Sequence, residues 1–187
     1  MGKVFVDVGM SLDGFIAGPN GRPGNPLGDG GMRIHQWVYP LASFRERLGL
    51  TGGDTNQDDE IVRHVFARAG IPPSARPFSS SRIRREIPGS GRGGRPLPSW
   101  PSVFNVPWNK RRPPQAIVMS GFQEALTSFH SSSRAGLVDE LTIHLAPVLL
   151  GDGVRLLDHL GADDMALERM EVSDSPLVTH LKYRVVK

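Results

Sequence analysis

Val4-Phe5-Val6-Asp7-Val8-Gly9-Met10-Ser11-Leu12-Asp13-Gly14-Phe15-Ile16-Ala17-Gly18-Pro19-Asn20-Gly21 reads as an apolar strand, a break at Asp13-Gly14, a short apolar resumption and a second break. The β-branched and aromatic content from Lys3 to Val8 predicts a strand buried on both faces. Ala17 and Gly18 are small, so the backbone there is expected to be bare enough for a flat ring to lie against it. A matching block, Gly136 to Leu157 (GLVDELTIHLAPVLLGDGVRLL), predicts a second buried strand that ends in the Gly151-Asp152-Gly153 turn.

The rest of the chain sets the frame around these blocks. A length of 187 residues supports one domain, 1–187, with one sizeable core. Hydrophobic content of 39% and charged content of 22% fit a globular protein. The chain has no cysteine, which excludes disulfides and thiolate metal sites. No apolar run approaches the roughly 20 residues a spanning helix needs, and the start lacks a signal-peptide pattern; the expectation is a cytoplasmic protein with no membrane partner. The histidines show no metal-ligand spacing, so no metal is expected.

Charge is unevenly placed. Gly70 to Ala135 holds ten basic residues, from Arg76 to Arg134, against Glu86 and Glu124. Residues about 71–115 are rich in Pro, Ser, Gly and Arg without periodicity, which predicts irregular or disordered chain. Elsewhere the pattern is ordered. Ile34 to Leu48 is helical or mixed, with Pro40 against one continuous helix. Asp54 or Thr55 can cap a helix whose buried face is Ile61, Val62, Val65, Phe66 and Ala69, ending at Gly70. Val103 to Val106 and Ala116 to Met119 are candidate strands, and Phe122 to His130 a helix. After the strand from Glu140 to Leu150, Val154 to Leu160 reads as short helix or turn. Ala166 to Val172 is extended, and Leu177 to Val186 is a terminal strand.

The SLDGFIAG run (Ser11 to Gly18) and the ELTIHLAPVLLGDG run (Glu140 to Gly153) resemble, in order and spacing, the dihydrofolate reductase-like family, in the branch with the reductase domain of bacterial riboflavin-biosynthesis deaminase-reductases. With the C-terminal strand they cover roughly half the chain. The resemblance implies an α/β domain with a mostly parallel central sheet flanked by helices. It implies NADPH as cofactor, hydride transfer to a pteridine, pyrimidine or related heterocycle, and a homodimer. Ile16 and Ala17 would flank the nicotinamide, with Gly18 to Gly21 a mobile cover, and the Gly151-Asp152-Gly153 turn would pack against that loop.

The interior departs from the family pattern. The family's strand ending in Met-Gly-Arg is replaced by Pro72-Pro73-Ser74-Ala75-Arg76. Arg76 keeps register and could read the 2′-phosphate, but two prolines prevent a strand ladder. Two parses remain open for the pyrophosphate unit. In one, Ser120 and Gly121 stand for the family's Gly-Gly after a strand, at a helix N-terminus; in the other, Ser120 to Ser133 is the preceding strand-turn-helix and the unit is missing.

Reduction also needs a proton for the acceptor's partner atom. By register, Asp59 falls where folate-reducing members keep a substrate-binding carboxylate; its other reading is charge complementing a helix dipole alongside Asp58 and Glu60. Asp13 has a catalytic-acid reading and a turn reading, since Asp-Gly is itself a turn signal. His144 shares a strand face with Thr142 and reads as a ligand donor or a satisfied core histidine. Two competing functions stand beside the reductase: a member with a disrupted cofactor site, and a nucleic-acid-binding module through 76–112, where Trp100, Phe104 and Trp108 interleave with basic residues. Nucleic acid is the least favoured partner.

Overall fold

Strand β1 (Phe5–Ser11) lies inside the main sheet with a strand on either side, as its largely apolar run requires. This computed structural model describes residues 3–22, 24–69, the backbone of 116–119, 129–130, 132–158, 160 and 165–187. The remaining strands are β2 (Phe15–Ala17), β3 (Ala116–Met119), β4 (Glu140–Ala146), β5 (Val154–Arg155), β6 (Ala166–Ser175) and β7 (Val178–Val186). A 3₁₀ helix covers Gly31–Val38, followed by α1 (Ala42–Arg47) and α2 (Gln57–Arg68). The chain falls into two compact units, Met1–Gln36 with Phe104–Lys187, and Trp37–Val103.

In the first unit the main sheet has the order β3-β1-β4-β7-β6. β1 pairs parallel with β3 and β4, while β4–β7 and β6–β7 are antiparallel. Among the described strands the sheet is therefore mixed, not mostly parallel. The C-terminal strands β6 and β7 form a hairpin across Leu177, and a two-residue connection can only return antiparallel.

Register sorts the side chains by face. Val6 and Val8 of β1, Leu141 and Ile143 of β4 and Val185 of β7 lie on one face and form the core with Ile16, Phe129, Val138 and Leu156. Each such buried side chain contributes about 1.5–3 kcal/mol. The opposite face carries the alternate residues, among them Asp7, Gly9, His144 and His180, because side chains alternate along a strand. Asp139 ties the strand ends together: its carboxylate accepts from the Val4 amide at 2.8 Å and from Lys187 Nζ at 2.7 Å. Strand β6 ends the sheet, and all its residues but Ser173 and Ser175 are exposed.

β5 replaces the expected helix or turn after Val154. It is a two-residue strand that exists because β2 pairs with it, Phe15 opposite Arg155 and Ala17 opposite Val154. In the second unit, α2 starts where predicted, but its cap is Asn56, whose Oδ1 accepts the Asp59 amide at 3.0 Å, not Asp54 or Thr55. Of the expected buried face only Val62 is fully buried; Asp58 and Asp59 are buried instead. The break at Pro40 separates the 3₁₀ helix from α1. The 71–115 segment and the candidate strand Val103–Val106 lie outside the described residues.

Candidate functional site

The SLDG turn follows directly from β1. Ser11, fully buried, donates through Oγ to Asp13 Oδ1 at 2.6 Å and accepts the Phe15 amide at 2.9 Å. Asp13 then reaches across to the second motif block. Its carboxylate accepts the Leu150 amide at 3.1 Å and the Gly151 amide at 2.7 Å, while Leu12 N donates to the Val148 carbonyl at 2.9 Å. The Ser11 hydroxyl, the largest effect, holds the Asp13 carboxyl down; burial opposes it, and the Gly151 and Leu150 amides help to bring the group to about 2. The ionised form that makes these bonds persists above the ordinary 3.8 and is lost only as pH falls toward about 2. Asp13 thus takes the turn role; it carries no proton to donate near neutral pH.

Ile16 and Ala17 are buried, and the Ala17–Gly18 backbone is not bare. Gly153 packs so closely that a Cβ there would collide with the Ala17 carbonyl oxygen, which is the packing expected of the Gly151-Asp152-Gly153 turn. On the other flank, a Cβ at Gly18 would collide with the Asp29 carbonyl, and one at Gly28 with the Gly18 carbonyl. The small residues serve backbone-on-backbone packing, not an open ring face. A nicotinamide laid against Ala17–Gly18 does not fit this arrangement of the chain.

Asp59 belongs to the other unit. Its Oδ1 accepts the Ser43 amide at 2.7 Å and its Oδ2 accepts Arg63 Nε at 2.8 Å, pinning the start of α1 to α2. Burial works against the charge, but Ser43 and Arg63 outweigh it and keep the carboxyl below its ordinary value. Both of its oxygens are committed to structure. Arg76, Ser120 and Gly121 lie outside the described residues; Met119, the last described residue before Ser120, pairs with Val8 of β1.

The polar face of the main sheet holds a cluster that the sequence did not reveal. His144 Nε2 lies 2.9 Å from Asp7 Oδ1, and its Nδ1 lies 2.6 Å from His180 Nδ1. All three residues are buried, and the imidazoles meet edge-on at 81°. One proton bridges the two Nδ1 atoms, since two facing N–H groups cannot approach so closely. Among the described residues, Asp7 Oδ2 has no hydrogen-bond partner. The only signals in sequence were an acid inside an apolar strand and the alternation that put His144 on one face; the pairing of three strands that unites them is not written locally.

His35, from the 3₁₀ helix, sits over Gly9 in the same row, where a Cβ would lie 2.8 Å from its Cε1. The ring is half-buried with Nε2 sealed and, among the described residues, unpartnered. Burial, with a smaller effect from His144, pushes this imidazole down to about 4. Between 6.5 and about 4 the unfolded chain therefore binds a proton that the folded chain refuses. Stability is expected to fall as pH is lowered through that window, by up to about 3 kcal/mol. Chemical denaturation at pH 7 and pH 4.5 checks it: His35→Phe should flatten the difference, and an undiminished acid loss in that variant contradicts the assignment.

No family model matches the chain, and no curated protein does. Solved structures do. A protein ascribed to riboflavin biosynthesis from Shewanella sp. PV-4 is 13% identical, with 100% of both chains covered and a TM-score of 0.42. A pyrimidine reductase-like protein from Corynebacterium diphtheriae is 14% identical over 100% of this chain and 92% of that one, with a TM-score of 0.44. RibD of Acinetobacter baumannii is 17% identical, with a TM-score of 0.44, and this chain spans 58% of its length.

Proposed function

We infer that the protein is an NADPH-dependent reductase that transfers a hydride to a pteridine, pyrimidine or related heterocycle. The observation that carries the reading is the joining of the two motif blocks. β1 and β4 run parallel in register from Phe5 opposite Glu140 to Ser11 opposite Ala146, and Asp13 then grips the amides of Leu150 and Gly151. Residues 135 to 138 positions apart in sequence are thus built into one strand-end assembly, at the carboxyl ends of parallel strands where open sheets bind ligands. The pairing of β3 beside β1 supports the parse in which Ser120 and Gly121 follow a strand.

The cofactor, when bound, supplies the hydride. What the chain itself supplies is narrower. Asp13 fixes the turn, and Asp59 fixes a helix pair, so neither is a proton source in this arrangement. The closed face at Ala17–Gly18 favours a second reading, a member that keeps the fold without binding cofactor. Incubation with NADPH and a panel of pterins and aminopyrimidines separates the two. The reductase oxidises NADPH in a substrate-dependent way; a folded protein that does so with none of the panel, and binds no NADPH, is the inactive member.

A further inference from the structure

Two asparagines between Gly18 and Gly31 meet the same carboxylate and differ in the residue that follows them. Asn20 Nδ2 donates to Asp29 Oδ2 at 2.9 Å, and Asn25 Nδ2 to Asp29 Oδ1 at 3.0 Å. Asn20 is followed by Gly21, and Asn25 by Pro26; Asn20-Gly21 is the only Asn-Gly pair in the chain. Asn20 and Gly21 are both exposed, whereas Asn25 is buried. Among the described residues, the Gly21 amide makes no hydrogen bond. Its peptide group is polarised from the other end, where Arg22 Nη1 donates to the Asn20 carbonyl at 2.9 Å.

We propose that Asn20 is a modification site, where the side-chain amide is lost to water through a cyclic imide closed by the Gly21 nitrogen. Solvent base removes the Gly21 amide proton, and the nitrogen bonds to Asn20 Cγ. The Cγ–Nδ2 bond breaks, and ammonia leaves with a proton taken from water. Water then opens the imide ring at either of its carbonyls, leaving aspartate or isoaspartate at position 20. Amide and water become acid and ammonia, and nothing is oxidised or reduced. Glycine has no Cβ, so its nitrogen approaches Cγ along an unobstructed backbone. The Arg22 guanidinium sits on the oxygen that gains charge as the Gly21 amide ionises, which favours the nucleophile. The bond from Nδ2 to Asp29 must open first, and an exposed contact of this kind holds by a small margin. Asn25 has no such route, because the proline nitrogen after it carries no proton. The product places a carboxylate where a donor faced Asp29, and like charges that close repel. The inference is independent of the cofactor reading.

Incubation of the purified protein at mildly alkaline pH, followed by peptide mapping, tests this. A synthetic peptide of residues 17–24 reports the same chemistry without the fold. The expected result is conversion at position 20 at least as fast as in the peptide, to both aspartate and isoaspartate, with Asn25 intact. Gly21→Ala keeps the fold, since its Cβ would meet nothing nearer than the Pro26 carbonyl at 3.4 Å. That variant should convert about tenfold more slowly, because the methyl obstructs ring closure. Arg22→Gln should slow conversion about fivefold, the effect of one exposed charge contact. Asn20→Asp, which installs the unrearranged product, should melt about 2–4 °C lower. Position 20 staying intact while the peptide converts overturns the proposal, as does equal conversion at Asn25. An unchanged rate in Arg22→Gln overturns the part given to the guanidinium. An unchanged melt in Asn20→Asp overturns the repulsion from Asp29.

Discussion

Gly153→Ala is expected to be among the most damaging single substitutions in the first unit, costing about 3 kcal/mol or more. Two independent effects add. Gly153 adopts a φ of 141°, a conformation that an L side chain rarely takes. In addition, a methyl group there would run into the Ala17 carbonyl and the Gly18 backbone. Backbone cannot swing aside as a side-chain tip can, so β5 must leave β2 or the turn must leave Asp13. A thermal melt measures the loss. Gly151→Ala is the control: its φ of 79° is also unfavourable, but nothing stands where its methyl would go. The account predicts that Gly153→Ala is clearly the worse of the two; equal losses would mean that the close packing on Ala17 is not a determinant of stability.

His144→Leu is expected to cost about 3 kcal/mol or more, because it strands buried hydrogen-bonding groups without a partner. His144 is the middle of the Asp7–His144–His180 chain, so its loss deprives both neighbours of a bond in the interior. Asp7 suffers most, since Oδ2 already lacks a partner among the described residues and Oδ1 would join it. The double variant Asp7→Leu/His144→Leu removes the stranded carboxylate. It should recover a large part of the loss, because apolar replacement of a buried pair is often neutral. Urea denaturation of the two single variants and the double variant completes the cycle. Strict additivity would contradict a direct Asp7–His144 interaction.

What the sequence made legible follows from physics that acts over short range. β1 was readable because an apolar run bounded by Asp13-Gly14 has few alternatives to a buried strand, and β7 because Val178 to Val186 alternates. The stop at Pro40 was readable from the ring's effect on a helix. The Asn56 cap was missed because Asp54, Thr55 and Asn56 can all cap, and which one does so depends on where α1 pins Asp59. β5 was missed because two residues carry no period; its pairing with β2 decides it. Strand direction is likewise absent from a strand's own pattern, which is why the mixed sheet differs from the expectation drawn from resemblance. At the candidate site, the roles of Asp13 and of Gly151-Asp152-Gly153 as turn residues were legible. The closure of the Gly18 loop was not, because it depends on Asp29, eleven positions away, meeting Gly18 through its backbone carbonyl.

NADPH titration of the purified protein by calorimetry, with NADH in parallel, tests the central claim most directly. The account predicts saturable binding of one cofactor per chain, tighter for NADPH than for NADH. A protein that melts cooperatively yet binds neither nucleotide would contradict it.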